Sequence, residues 1–195
     1  MYIIKWGLYV MSALILSGCA TTQISAYRDE AFKNSQYSSF IVYTSIKDLA
    51  QRKSIENHIC ELIVDLKATC QKGMKLFPPT RSVSKEQFKA TVRQSGADAL
   101  LTIDLLDAYT RESTVTHENP QTTSDAYGNP GLSTMHYSKS YTAVGKHKIT
   151  LIDIAKDKSA FVATSETESQ MINPSYTLAK KIVEQLRALG LIKGQ

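Results

Sequence analysis

With 195 residues, 43% of them hydrophobic and 21% charged, the chain has an ordinary globular composition and a length that suits a single domain. The net charge of +5 and the pI near 9.0 do not make it a nucleic-acid binder. Lys180–Lys181 and Arg52–Lys53 are the only adjacent basic pairs, and no basic block forms. A mildly basic surface of this kind favours anionic envelope components such as lipid headgroups.

Residues 1–5 carry one positive charge, at Lys5, and no acidic residue. Residues 6–16 (WGLYVMSALIL) are almost wholly apolar but number only about eleven, where a spanning helix needs roughly twenty. A positive start, a short apolar core and small residues at its end predict a secretory signal. Its end, Leu16-Ser17-Gly18-Cys19, resembles the lipobox of bacterial lipoproteins, in which one aliphatic and two small residues precede a cysteine. The resemblance implies a signal peptide over 1–18 and cleavage between Gly18 and Cys19. It also implies acylation (palmitate or similar chains) of Cys19, with the two or three chains that stable anchoring requires. In that class an aspartate after the cysteine often retains the protein in the inner membrane. The position is Ala20 here, which implies the outer membrane, with the domain facing the periplasm. An ordinary signal peptide with a chance cysteine is the plain alternative.

Cys60 and Cys70 then remain, an even number in an oxidising compartment. On one unbroken helix they would lie ~15 Å apart, too far for a bridge. A turn after about Leu66 would permit a Cys60–Cys70 disulfide; two buried free thiols are the alternative.

Residues 19–38 are polar and weakly patterned and read as a lipidated tether; 39–195 read as one α+β domain. Phe40-Ile41-Val42-Tyr43 predicts a first strand. From about Lys47 the period becomes helical, with Ile55, Ile59, Leu62, Ile63 and Leu66 on one stripe and His58 and Glu61 off it. A short strand is expected at Lys75-Leu76-Phe77, stopped by Pro78-Pro79. Ser84 and Gln87 have capping-box spacing, with Val83 and Phe88 placed as a staple, and open a helix over about 85–95 that ends at Gly96.

An extended stretch follows over 97–116, its first half expected to be buried on both faces. Residues 118–138, rich in Asn, Gly and Pro, interrupt the pattern and form the expected contact surface for envelope proteins, a tolerated insertion being the bland alternative. Strands are predicted over 140–155 and 160–169, joined by a turn at Asp157-Lys158. Asn173 and Pro174 open a last helix with Leu178, Ile182, Leu186 and Leu189 inward, ended by Gly190. The result is a mixed sheet of about five strands with three helices, in the order β-α-β-α-β-β-β-α. This succession is similar, in element order alone, to small α+β domains of envelope lipoproteins.

No serine-hydrolase elbow, phosphate-binding loop, dinucleotide fingerprint or zinc-binding helix motif occurs in the sequence. No catalytic residue, cofactor site or metal site is therefore assigned. His117 and His136 flank the insertion and could meet if their strands pair, with Glu118 or Asp125 as a further ligand. Asp104 and Asp107, three apart in a strand, should face opposite ways. Thr164, Glu166 and Glu168, spaced by two, suggest a solvated face or a peptide-docking edge. The expected function is non-catalytic: a membrane-anchored assembly or accessory protein that binds other envelope proteins. Its rivals are a periplasmic hydrolase with a spatially assembled site and a subunit of an oligomeric secretion channel.

Overall fold

The computed structural model describes residues 22–118, 135–168 and 173–193. The signal segment, Gly18, Cys19 and most of the 118–138 insertion lie outside them.

Six strands form one mixed sheet: β1 (Gln23–Arg28), β2 (Ser39–Thr44), β3 (Thr69–Lys72), β4 (Ala99–Glu118), β5 (Met135–Asp153) and β6 (Lys158–Glu168). Their spatial order is β1-β6-β5-β4-β2-β3. The β1–β6, β6–β5 and β5–β4 pairs are antiparallel, while β4–β2 and β2–β3 are parallel. The helices are α1 (Leu49–Asp65), a single turn α2 (Gly73–Leu76), α3 (Lys85–Gln94) and α4 (Pro174–Ala188).

Alternation along the strands sends their side chains into two cores. On one face Phe40, Val42, Leu101, Ile103, Ile149, Leu151 and Phe161 pack with Ile55, Ile59 and Ile63 of α1 and Leu178, Ile182 and Leu186 of α4. On the other, Ile41 and Leu100 pack with Phe77 and with Val92 of α3. The aliphatic side chains among these each contribute about 1.5–3 kcal/mol by leaving water. The helix starts follow local chemistry. Ser84 and Gln87 form a reciprocal capping box, and Asn173 caps α4 with Pro174 in its first turn.

The fold class and the order of the main elements are as the sequence predicts, with one more strand and two more helical turns, α2 and a 3-10 turn at Glu30–Phe32 that buries Phe32 within the expected tether. Two assignments change. Residues 23–28, given to the tether, form β1 on the sheet edge. Arg28 holds that strand to the domain, donating to the carbonyls of Leu189 and Phe32, the latter at 2.5 Å. The short strand is 69–72, paired in parallel with β2, and the expected strand at 75–77 is replaced by α2 and the residue after it. Gly73 permits this, since a Cβ there would lie 2.8 Å from the Tyr43 Cα and the Val42 carbonyl oxygen.

Cys60 and Cys70 are joined by a disulfide with Cα atoms 5.3 Å apart. The turn that makes this possible follows α1, where Lys67 takes φ 66° and Ala68 bonds back to Ile63. Among the described residues no helix is long and apolar enough to cross a membrane.

Candidate functional site

The main feature outside the two cores is a two-stranded ribbon. Strand β2 leaves β4 at the pair Thr44–Ile103, and β6 leaves β5 at Val144–Glu168. β4 and β5 stay paired well past both points, to Glu118–Met135. The wide sheet thus narrows to β4 and β5 alone. Leu105 and Leu106, past the end of β2, are 41% and 52% exposed, and Tyr141, past the end of β6, is 58% exposed.

An ion-pair network braces the base of the ribbon. Arg111 donates to Glu168 at 2.9 Å and to Glu166 at 3.3 Å, and the Tyr109 hydroxyl donates to Glu166 at 3.3 Å. Tyr109, and beyond it Glu168 and Glu166, raise the Arg111 guanidinium further above its ordinary range. Farther out, Lys139 pairs with Glu112 at 2.6 Å and the Ser113 and Ser140 hydroxyls share a 2.6 Å hydrogen bond. Glu166 and Glu168, expected on a solvated face or docking edge, are therefore engaged with the ribbon.

A β-bulge at Leu106 lies between the end of β2 and the start of the two-stranded ribbon. Asp104 pairs with Lys148 and Asp107 with Lys146, so the extra residue brings both aspartates to one face, against the expectation from spacing. Each is held locally: Asp104 accepts from the Ser45 hydroxyl at 2.6 Å, and Asp107 from the Ala108 amide at 2.8 Å.

Beneath the ribbon base sits a buried polar group that sequence spacing does not single out. His147 is 2% exposed and opposes Ser165 on β6. Neither ring nitrogen, nor the Ser165 hydroxyl, has a hydrogen-bond partner among the described groups. Burial lowers the His147 pKa to about 4, so the ring is neutral at pH 7. The ring lies over Gly145, where a Cβ would come within 3.1 Å of it.

Another cluster ties helix to sheet. Glu56, 1% exposed, accepts from the Thr44 amide and Arg52 Nε at 3.1 Å each and from the Met74 amide at 2.7 Å. The Arg52 guanidinium stacks on Tyr43. The signal for this pair was present: Arg52 and Glu56 continue the Ile59 and Ile63 stripe at helical spacing, where apolar residues are expected.

At the opposite end of the sheet a polar cleft of about 760 Å³ is lined in part by Tyr37, Arg93, Asp98 and Asp153. Its acids serve the fold. Asp153 accepts from the Tyr37 hydroxyl at 3.2 Å and from the Lys156 amide at 2.8 Å. Burial, and then Asp153, push the Tyr37 pKa up to about 12. Burial alone would raise the Asp98 pKa, but hydrogen bonds from Ser38 and Ser39 outweigh it and hold the carboxyl below its usual range.

His117 and His136 are paired in the ribbon register, with their side chains outside the described set. His58 sits off the α1 stripe beside Glu61, 3.4 Å away, and packs edge-on against Tyr176. Among the described residues no group of three or more His, Cys, Asp or Glu side chains is placed to hold a metal ion.

No family model and no curated protein matches the chain. Solved structures with a similar layout include the PelC dodecamer of Paraburkholderia phytofirmans, 11% identical, covering 89% of this chain and 100% of that one at a TM-score of 0.48. Lipoprotein GNA1162 of Neisseria meningitidis is 13% identical over 77% of this chain and 99% of that one, at a TM-score of 0.43. A minor lipoprotein of Acinetobacter baumannii is 10% identical over 81% and 98%, at 0.36. The structures to which this chain is similar thus include bacterial lipoproteins.

Proposed function

We propose that the chain is a membrane-anchored bacterial lipoprotein, acylated on Cys19 at the outer membrane. Its periplasmic domain binds other envelope proteins as a non-catalytic assembly or accessory component. The observation that carries this is the β4–β5 ribbon: a domain with two filled cores gains little stability by extending two strands far past them. Such an extension suits contact with something outside the domain, and lipid tethering raises the effective concentration at which a weak contact operates. The non-catalytic part is supported by the engagement of Glu56, Asp98 and Asp153 in structural hydrogen bonds. They are not poised for proton transfer.

Photo-crosslinking in intact cells tests the reading. A crosslinking residue at Tyr141 or Lys139 should give discrete protein adducts that are missing when it stands at Lys53, exposed on α1. Equal adducts at all three positions, or none, would contradict a docking role for the ribbon.

A further inference from the structure

We infer that, in the anchored protein, the β4–β5 ribbon lies against the headgroup layer of the membrane that holds Cys19. The docking surface then works at the membrane face and not out in the periplasmic space. This rests on the acylation of Cys19 proposed above.

Strand direction and chain length make the case. β1 enters the sheet at Gln23, opposite Glu166, and runs away from the ribbon to Arg28, opposite Phe161. The chain therefore arrives from the ribbon end. Thr22 sits at the ribbon base, its hydroxyl 3.5 Å from that of Thr167. Thr167 pairs with Gly145, which pairs with Ala108. Past that level the ribbon continues over 109–118 and 135–144, about 33 Å at ~3.3 Å per residue.

Three residue steps separate Thr22 from Cys19, a reach of about 10 Å whatever their conformation. Carrying the anchor round to the other end of β1, a strand of 6 residues, would need about 20 Å. An arrangement with the ribbon pointing away from the membrane is out of range. Pointed straight at the membrane, the ribbon would overrun the anchor's reach by about 23 Å and enter the hydrocarbon, so it runs alongside the membrane with its length against the headgroups.

The side chains select the headgroup layer over the hydrocarbon. Strand alternation puts Thr110, Glu112 and Thr114 on one face and Tyr109, Arg111 and Ser113 on the other. Neither face has the apolar row that a lipid-facing strand requires. Tyr109 and Tyr141 carry rings with a polar tip, suited to the interface. The pairing of Arg111 with Glu166 and Glu168, and of Lys139 with Glu112, leaves little free charge. Contact is then enforced by the short anchor more than by attraction to anionic lipid.

The sole tryptophan, Trp6, lies upstream of Cys19, so the processed chain accepts a single-tryptophan probe. Tyr141→Trp, a conservative change, and Thr114→Trp report the ribbon; Lys158→Trp reports the β5–β6 turn at the opposite end. Each acylated full-length protein is reconstituted into phosphatidylethanolamine–phosphatidylglycerol vesicles whose acyl chains carry bromine near the headgroup. Emission from both ribbon probes should fall by about half, and that from Lys158→Trp should change little. Vesicle-bound protein whose ribbon probes are no more quenched than Lys158→Trp would overturn the inference and leave the anchored reading intact. Protein that fails to float with vesicles and carries no acyl group would overturn both.

Discussion

At the scale of single residues, His147 makes stability depend on pH. Its pKa is about 4 in the fold against 6.5 for an ordinary histidine. Above pH 6.5 the ring is neutral folded or unfolded and favours neither state. As pH falls from 6.5 toward 4 the unfolded chain takes up a proton that the buried ring refuses, and stability drops by about 3 kcal/mol. His147→Leu should flatten this slope, read from urea midpoints between pH 7 and pH 4. An unchanged slope would show that other groups dominate acid sensitivity. Glu56 carries a larger consequence. Glu56→Ala leaves Arg52 buried without its carboxylate and orphans the Thr44 and Met74 amides, so a loss of about 3–5 kcal/mol is expected in chemical denaturation. The sequence made Glu61 and His58 conspicuous because they stand off the apolar stripe. Glu56 and His147 matter because they stand on buried faces; helical spacing carries that signal for Glu56, and nothing in the spacing singles out His147.

At the scale of elements, features fixed by neighbours in sequence were legible and features fixed across the sheet were not. The Ser84–Gln87 box and the Asn173–Pro174 start are each complete within a few residues. β1 has a sequence, QISAYR, with no buried residue; it is a strand because β6 offers an edge and Arg28 ties it down. β3 likewise takes its form from pairing with β2. The Leu106 bulge depends on register with β5, so spacing alone placed Asp104 and Asp107 on opposite faces. The ribbon follows the same logic in its energetics. A two-stranded extension held by exposed ion pairs that water and salt screen is less stable than the six-stranded body. In a form lacking residues 1–19, amides over 110–114 should exchange at least about 100-fold faster than those over 99–103. Equal protection would mean that the ribbon is part of the body's cooperative unit and needs no external contact.

At the scale of the whole molecule, the ends of the described chain are stapled to the body. Arg28 bonds the Leu189 carbonyl, and Tyr37 and Leu191 share a backbone bond of 2.9 Å. The Cys60–Cys70 disulfide closes a loop of sequence separation 10 between α1 and β3. Its reduction should cost about 2–3 kcal/mol, seen as a lower thermal midpoint, while Cys60→Ser/Cys70→Ser should lose the sensitivity to reductant. A bridge of this kind suits an oxidising compartment, in agreement with an exported chain.

The most direct test of the account is metabolic labelling with a clickable palmitate in cells producing the full chain. The account predicts label on the wild-type protein, none on Cys19→Ala, and a mass consistent with loss of 1–18. An unlabelled wild type, or equal label on both forms, would contradict it.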